Sequence, residues 1–171
     1  NEWRGGKGPL GVRKGPDPNP IYDAFIFAGE QSGQGITDDL NGFNPEGLSR
    51  LDATISNGKR NSSSTTFLKP AMRRNNLKLK THVLVEKILL ENNRAIGIQL
   101  SEKGQKYIIE AEKEIILSAG AINSPKILML SGIGPADNLM EIGSKIHHEL
   151  PGVGKNLQDH ATVSTSWECL E

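Results

Sequence analysis

Glu114-Ile115-Ile116-Leu117-Ser118-Ala119-Gly120-Ala121-Ile122-Asn123-Ser124-Pro125-Lys126-Ile127-Leu128-Met129-Leu130-Ser131-Gly132-Ile133-Gly134 is the stretch on which the fold turns. Ile115-Ile116-Leu117 is a continuous apolar run, the pattern of a strand buried on both faces in a parallel sheet. Ala119-Gly120-Ala121 is a turn built from small residues. Ser124 before Pro125 is a good N-cap and N1 pair, and an apolar helical stretch runs from there through Leu130. Strand, small-residue turn and helix N-terminus together let a backbone approach a phosphate or a flat cofactor closely.

The residues before this stretch read as a β-meander. Leu77 to Leu90 is dense in Leu, Val and Ile, Ala95 to Leu100 alternates, and Tyr107 to Ala111 is a third run. Glu91-Asn92-Asn93 and Glu102-Lys103-Gly104 are the tight turns between them. Further upstream the signals are weaker. Residues 1–20 are rich in Gly and Pro and predict an extended loop. Ile21 to Gly33 suits a short helix ending at Gly29 or Gly33. Leu51 to Ile55 reads as a strand leading into the Asn57-Gly58 turn. Thr65 to Arg73 reads as a helix with Pro70 in its first turn or bending it.

The composition limits what such a chain can do. Its 171 residues are 36% apolar and 23% charged, as in a globular protein with a real core. Lys plus Arg equal Asp plus Glu at 20 each, and that balance disfavours a nucleic-acid or acidic-membrane footprint. No apolar run approaches the roughly 20 residues that span a bilayer. Cys169 is the only cysteine, so no internal disulfide can form, in keeping with a reducing compartment. The expected location is cytoplasmic, or peripheral to the inner membrane. The start at Asn1-Glu2-Trp3-Arg4, without Met, suggests a piece of a longer protein.

Gly120 to Gly134 resembles, at every specified position, the second signature of the glucose-methanol-choline (GMC) oxidoreductase family. Leu150-Pro151-Gly152-Val153-Gly154-Lys155-Asn156-Leu157-Gln158-Asp159-His160 is similar to the family's downstream motif. Thr37-Asp38-Asp39-Leu40-Asn41-Gly42 and Asn57-Gly58-Lys59-Arg60-Asn61-Ser62 are similar to its upstream segment. The resemblance implies a mixed α/β (α+β) fold, part of a Rossmann-like FAD-binding domain with a β-meander, plus pieces of the substrate-binding domain. Residues 1–75 would be a partial substrate-domain segment, 76–160 the FAD-binding portion, and 161–171 the start of a further substrate-domain segment. Ala119, Gly120 and Ala121 would give FAD side-chain-free backbone, and Val85 would hold its adenine through the main chain. Family members oxidise an alcohol by hydride transfer to flavin. Their base is a histidine near the C-terminus that no position here matches, so no catalytic residue is assigned. The expected partners are a small-molecule alcohol and an unidentified electron acceptor. The alternative is a catalytically inactive flavin-binding or interaction module.

Other motifs compete for attention. Gly6-Lys7-Gly8-Pro9-Leu10-Gly11 spells GxGxxG, but no strand precedes it and Pro9 interrupts the helix start, so it reads as loop. His147-His148-Glu149 alternates across a strand and makes a poor metal site. Ser131 and His160 lack a nucleophile-elbow context. Choline-oxidising members of the family carry a glutamate two residues after the histidine of Gln-Asp-His. Here that position is Thr162, and a hydroxyl cannot neutralise a quaternary ammonium. Either another group such as Glu168 does so or the substrate is an uncharged alcohol.

Overall fold

The computed structural model describes residues 3–15 and 18–168. Cys169 and the last residues of the 161–171 segment lie outside the described residues. Two compact units divide between Leu79 and Lys80.

In the first unit, α1 spans Pro20–Gln31, with the Asn19 side chain accepting from the Ile21 N–H at 3.0 Å. Asn as N-cap followed by Pro at N1 is a strong start signal. Gly29 does not end the helix. It is buried inside it because the Leu48 side chain packs where a Cβ would stand, 2.4 Å from that position. The helix stops before Gly33, whose φ of +82° suits glycine. Short antiparallel pairs join β1 (Arg13–Lys14) to β2 (Asp52–Ala53) and β3 (Ile55–Ser56) to β4 (Lys59–Arg60). The β3–β4 hairpin turns on Asn57 and Gly58, with φ of 50° and 71°. A π-helical turn, Ser64–Leu68, leads into α2 (Lys69–Ala71), and Pro70 falls in the first turn of α2. Gly6 to Gly11 is loop.

One ion cluster ties this unit together. The Arg4 guanidinium pairs with Asp39 through two nitrogens and reaches Asp52 at 2.5 Å. Trp3 beside it stacks obliquely on Phe43, with ring centroids 5.9 Å apart. The Arg4 hydrogen bonds, helped by the Asn41 N–H, hold the Asp39 carboxyl at about 2. Asp52 is lowered by the same guanidinium.

In the second unit, β5 (Leu84–Glu91), β6 (Arg94–Glu102) and β7 (Gln105–Glu110) form the expected antiparallel meander. Both turns have two residues at positive φ: Asn92 and Asn93, then Lys103 and Gly104. This is the turn whose twist matches paired strands. The first strand begins later than Leu77 because His82, at φ 58°, interrupts extended backbone. Next come α3 (Gly120–Leu130), β8 (Ile133–Gly134), α4 (Ala136–Glu141) and β9 (His148–Glu149), with β8 and β9 parallel. Ile88, Leu100, Ile127 and Leu139 form the buried core.

Two expectations are corrected here. Ile115-Ile116-Leu117 is not a strand, and Ile116 is 80% exposed. A central strand needs neighbours on both sides, and none of the described segments pairs with it. The second correction concerns α3, which is capped at Ala119 and opens at Gly120, rather than being capped at Ser124 and opening at Pro125, so that Pro125 lies inside the helix. Ser124 does not cap forward. Its hydroxyl accepts the Ala119 N–H at 3.1 Å and closes the first turn from within.

The Arg4 cluster sets a pH dependence. Its carboxylates titrate lower in the folded state than in the unfolded chain. Their stabilisation is therefore complete above the ordinary aspartate value of 3.8 and is lost as pH falls towards about 2. In the full-length protein, Arg4→Met is expected to lower the unfolding temperature at neutral pH, and the difference from wild type should shrink steeply as pH falls from the ordinary aspartate value of 3.8 towards about 2. Thermal unfolding across pH measures this, and a constant difference at all pH values would refute it.

Candidate functional site

The site is assembled around α3. By helix geometry the N–H groups of Gly120, Ala121 and Ile122 have no acceptor within the helix. Gly120 has φ +87°, and nothing stands within 4 Å of where its Cβ would be. The helix therefore starts on bare, open backbone carrying the positive end of its dipole. Such an end accepts anions well.

Two clefts flank the helix. One, of about 590 Å³, lies between α3 and β5, and Val85 and Ala119 both line it. The other, of about 710 Å³, lies between α3 and the Gly154–Gln158 segment and includes Ala121 and Ile122. Of the four residues singled out from sequence, the structure thus brings Val85 and Ala119 together and sets Ala121 on the opposite side. Gly120 sits between them at the helix start.

Sequence reasoning missed Asn123, Lys126 and Ile127, which extend the wall begun by Ala119. They follow Ala119 at four, seven and eight residues, so helical periodicity identifies them once the true start of α3 is known. It also missed Glu86, Gln99 and Lys106. The Glu86 carboxylate takes the Lys106 ammonium at 2.9 Å and the Gln99 amide at 2.6 Å. These bonds, Lys106 first, hold Glu86 below the usual carboxylate range, so it is charged at neutral pH. Lys87, Lys106 and Lys126 against Glu86 leave the first cleft with two positive charges in excess. Bare backbone, a helix N-terminus and excess lysine suit an anionic ligand such as one carrying a phosphate.

The walls are fixed by the Ser131-Gly132-Ile133-Gly134 turn. Gly132 has φ +77°, and a Cβ there would stand 2.2 Å from the Lys145 carbonyl. Its own carbonyl accepts the N–H groups of His147 and His148 at 2.9 and 3.1 Å. His148 and Glu149 form an exposed strand. Among the described residues, no group of three or more His, Cys, Asp or Glu could hold a metal. Ser131 is buried and makes backbone hydrogen bonds. His160 is exposed, its N–H donating to the neighbouring Asp159 carboxylate at 2.8 Å, and Thr162 donates to the His160 carbonyl at 3.3 Å. No helix among the described residues is long and apolar enough to cross a membrane.

Gly132→Ala tests the turn. Left-handed strain together with the clash at Lys145 predicts a loss of about 2–4 kcal/mol. The full-length variant should unfold several degrees below wild type in calorimetry. Unchanged stability would mean that the turn tolerates a side chain.

The family model described as GMC oxidoreductase matches residues 3–162. Human mitochondrial choline dehydrogenase is 46% identical over 169 residues, covering 99% of this chain and 28% of that protein. An oxygen-dependent choline dehydrogenase from Brucella ovis is 47% identical over 170 residues, covering 99% of this chain and 31% of its own length. The chain therefore spans less than a third of these relatives. Among solved structures, pyridoxine 4-oxidase from Mesorbium loti is 33% identical with a TM-score of 0.84, covering 90% of this chain and 30% of that one. An FAD-dependent oxidoreductase from Chaetomium thermophilum is 31% identical with a TM-score of 0.86, covering 91% of this chain and 28% of that one. The mixed helix-and-strand fold is shared with these oxidoreductases. A match over residues 3–162, nearly the whole chain, makes this chain a member of the GMC oxidoreductase family.

Proposed function

We propose that this chain belongs to an FAD-dependent alcohol oxidoreductase and forms the adenosine end of its cofactor site. The observation that carries the reading is the cleft shared by Val85 and Ala119, beside the open Gly120 backbone. Residues 76–160 are the FAD-binding portion, and 1–75 and 161–171 belong to the substrate domain. The break between Leu79 and Lys80 supports setting the first segment apart, and the cleft lies wholly within the second compact unit; no such break separates 161–171.

The residues present fit the cofactor. Val85 would meet the adenine through its main chain, and Ala119, Gly120 and Ala121 would let the dinucleotide approach nearly bare backbone. The first N–H groups of α3 would offer donors to its phosphates. When bound, FAD supplies the acceptor for the hydride of a primary alcohol, which leaves as the aldehyde. This chain's part is to bind and orient that group. No residue here is assigned as the base that takes the hydroxyl proton.

The names of the relatives, choline dehydrogenases, support an alcohol substrate. The choice between choline and a neutral alcohol turns on Thr162. Its hydroxyl donates to a carbonyl and brings no charge against a trimethylammonium group. An uncharged primary alcohol is therefore the substrate this sequence favours.

The test uses the purified full-length protein. It should carry FAD visible in its absorption spectrum, and a neutral primary alcohol should bleach that absorption under anaerobic conditions faster than choline does. Gly120→Val, with about 1–2 kcal/mol of left-handed strain and two methyl groups in the approach path, should lose most of the flavin. A colourless wild type would overturn the cofactor reading. Strong preference for choline would overturn the argument from Thr162.

A further inference from the structure

We infer that Ser131 is the positioning residue of the adenosine cleft, setting the spacing between its two walls; this rests on the FAD reading above. Ser131 is 5% exposed, and its hydroxyl is used twice. It donates to the Ile127 carbonyl at 2.6 Å, within the last turn of α3. It accepts the N–H of Ile88 at 2.8 Å. Ile88 lies on β5, whose only partner strand among the described residues is β6, so this N–H lies on the unpaired edge of the meander.

One oxygen therefore joins the helix that carries Ala119, Asn123 and Lys126 to the strand that carries Val85. Ser131 does not line that cleft, so it touches no ligand there. Its effect passes through the backbone at both ends. Ile88 is three residues from Val85 on a strand irregular in register between Val85 and Lys87. A strand loosened at that irregularity is free to shift Val85 relative to Ala119. Other hydroxyls do not duplicate the link: among the described hydrogen bonds between side chain and backbone, Ser131 alone connects α3 with β5.

Full-length apoprotein is titrated with FAD, and backbone amide exchange is followed at Ile88. Ser131→Ala should raise the FAD dissociation constant about tenfold and speed exchange of the Ile88 amide. Ser131→Thr, which keeps the hydroxyl, should restore the slow exchange and most of the affinity. Leu139→Val serves as the control, since Leu139 is fully buried in α4 and lines neither cleft. It should lower thermal stability while moving FAD affinity by less than about twofold. Should Ser131→Ala not fold, Ser131→Cys keeps the volume with a weaker donor and should give a smaller rise in the same direction. The inference is overturned if either variant frees the Ile88 amide yet binds FAD as wild type does. It is equally overturned if Leu139→Val weakens FAD binding as much as Ser131→Ala. A wild type that takes up no FAD removes the cofactor reading itself, and this inference with it.

Discussion

The Ser131 hydroxyl satisfies a carbonyl at the end of α3 and an amide on the open edge of β5, and the second unit is organised around that pair of bonds. A buried N–H left unpaired costs about 1–3 kcal/mol, a large fraction of a domain's stability. The residues that follow continue the same task. Gly132 lets the chain pass against the Lys145 carbonyl, and Ile133 and Gly134 pair with His148 and Glu149. The Gly134 carbonyl then accepts the Leu150 N–H at 2.9 Å. Each member of the Ser-Gly-Ile-Gly string has a separate job, and together they lock the far end of α3 while its near end stays open.

That asymmetry matters for binding. A helix held rigidly at its C-terminus presents its N-terminal amides at a fixed place, so little ordering remains to be done when a ligand arrives. The lysines around the first cleft add attraction without specificity, whereas the backbone of Val85 and Ala119 adds shape. Glu86 tempers the charge: paired with Lys106 and Gln99, it keeps the neighbouring ammonium in place on the cleft wall.

Local chemistry made much of this legible in the sequence. Asn92-Asn93, Lys103-Gly104 and Asn57-Gly58 each adopt the positive φ that two-residue hairpins demand, so the hairpins could be placed from those residues. Ile115-Ile116-Leu117 could not be placed in the same way. Apolarity says that a segment wants burial, but pairing is non-local, and no described segment supplies it. The site was half legible. Small residues at 119–121 marked the bare backbone, while Asn123 and Lys126 stayed hidden because the helix was expected to be capped at Ser124. An error of five residues in a helix start shifts which side chains share a wall. Glu86, Gln99 and Lys106 depended on strand register, which turns fix only after the strands are known.

The position of Pro125 shows what α3 gives up. It is the sixth residue of the helix, where a missing N–H leaves the Ala121 carbonyl without its usual donor. Glycine at the first position adds its own entropic cost. A chain optimised only for helix stability would begin at Ser124 and use Ser124 and Pro125 as cap and first residue. Here Ser124 turns back to hold the Ala119 amide, and the helix gains one more turn that opens on Gly120 and Ala121. A local rule broken in this way, with no packing gain at Gly120, fits a helix end kept free for a ligand rather than one shaped for the core.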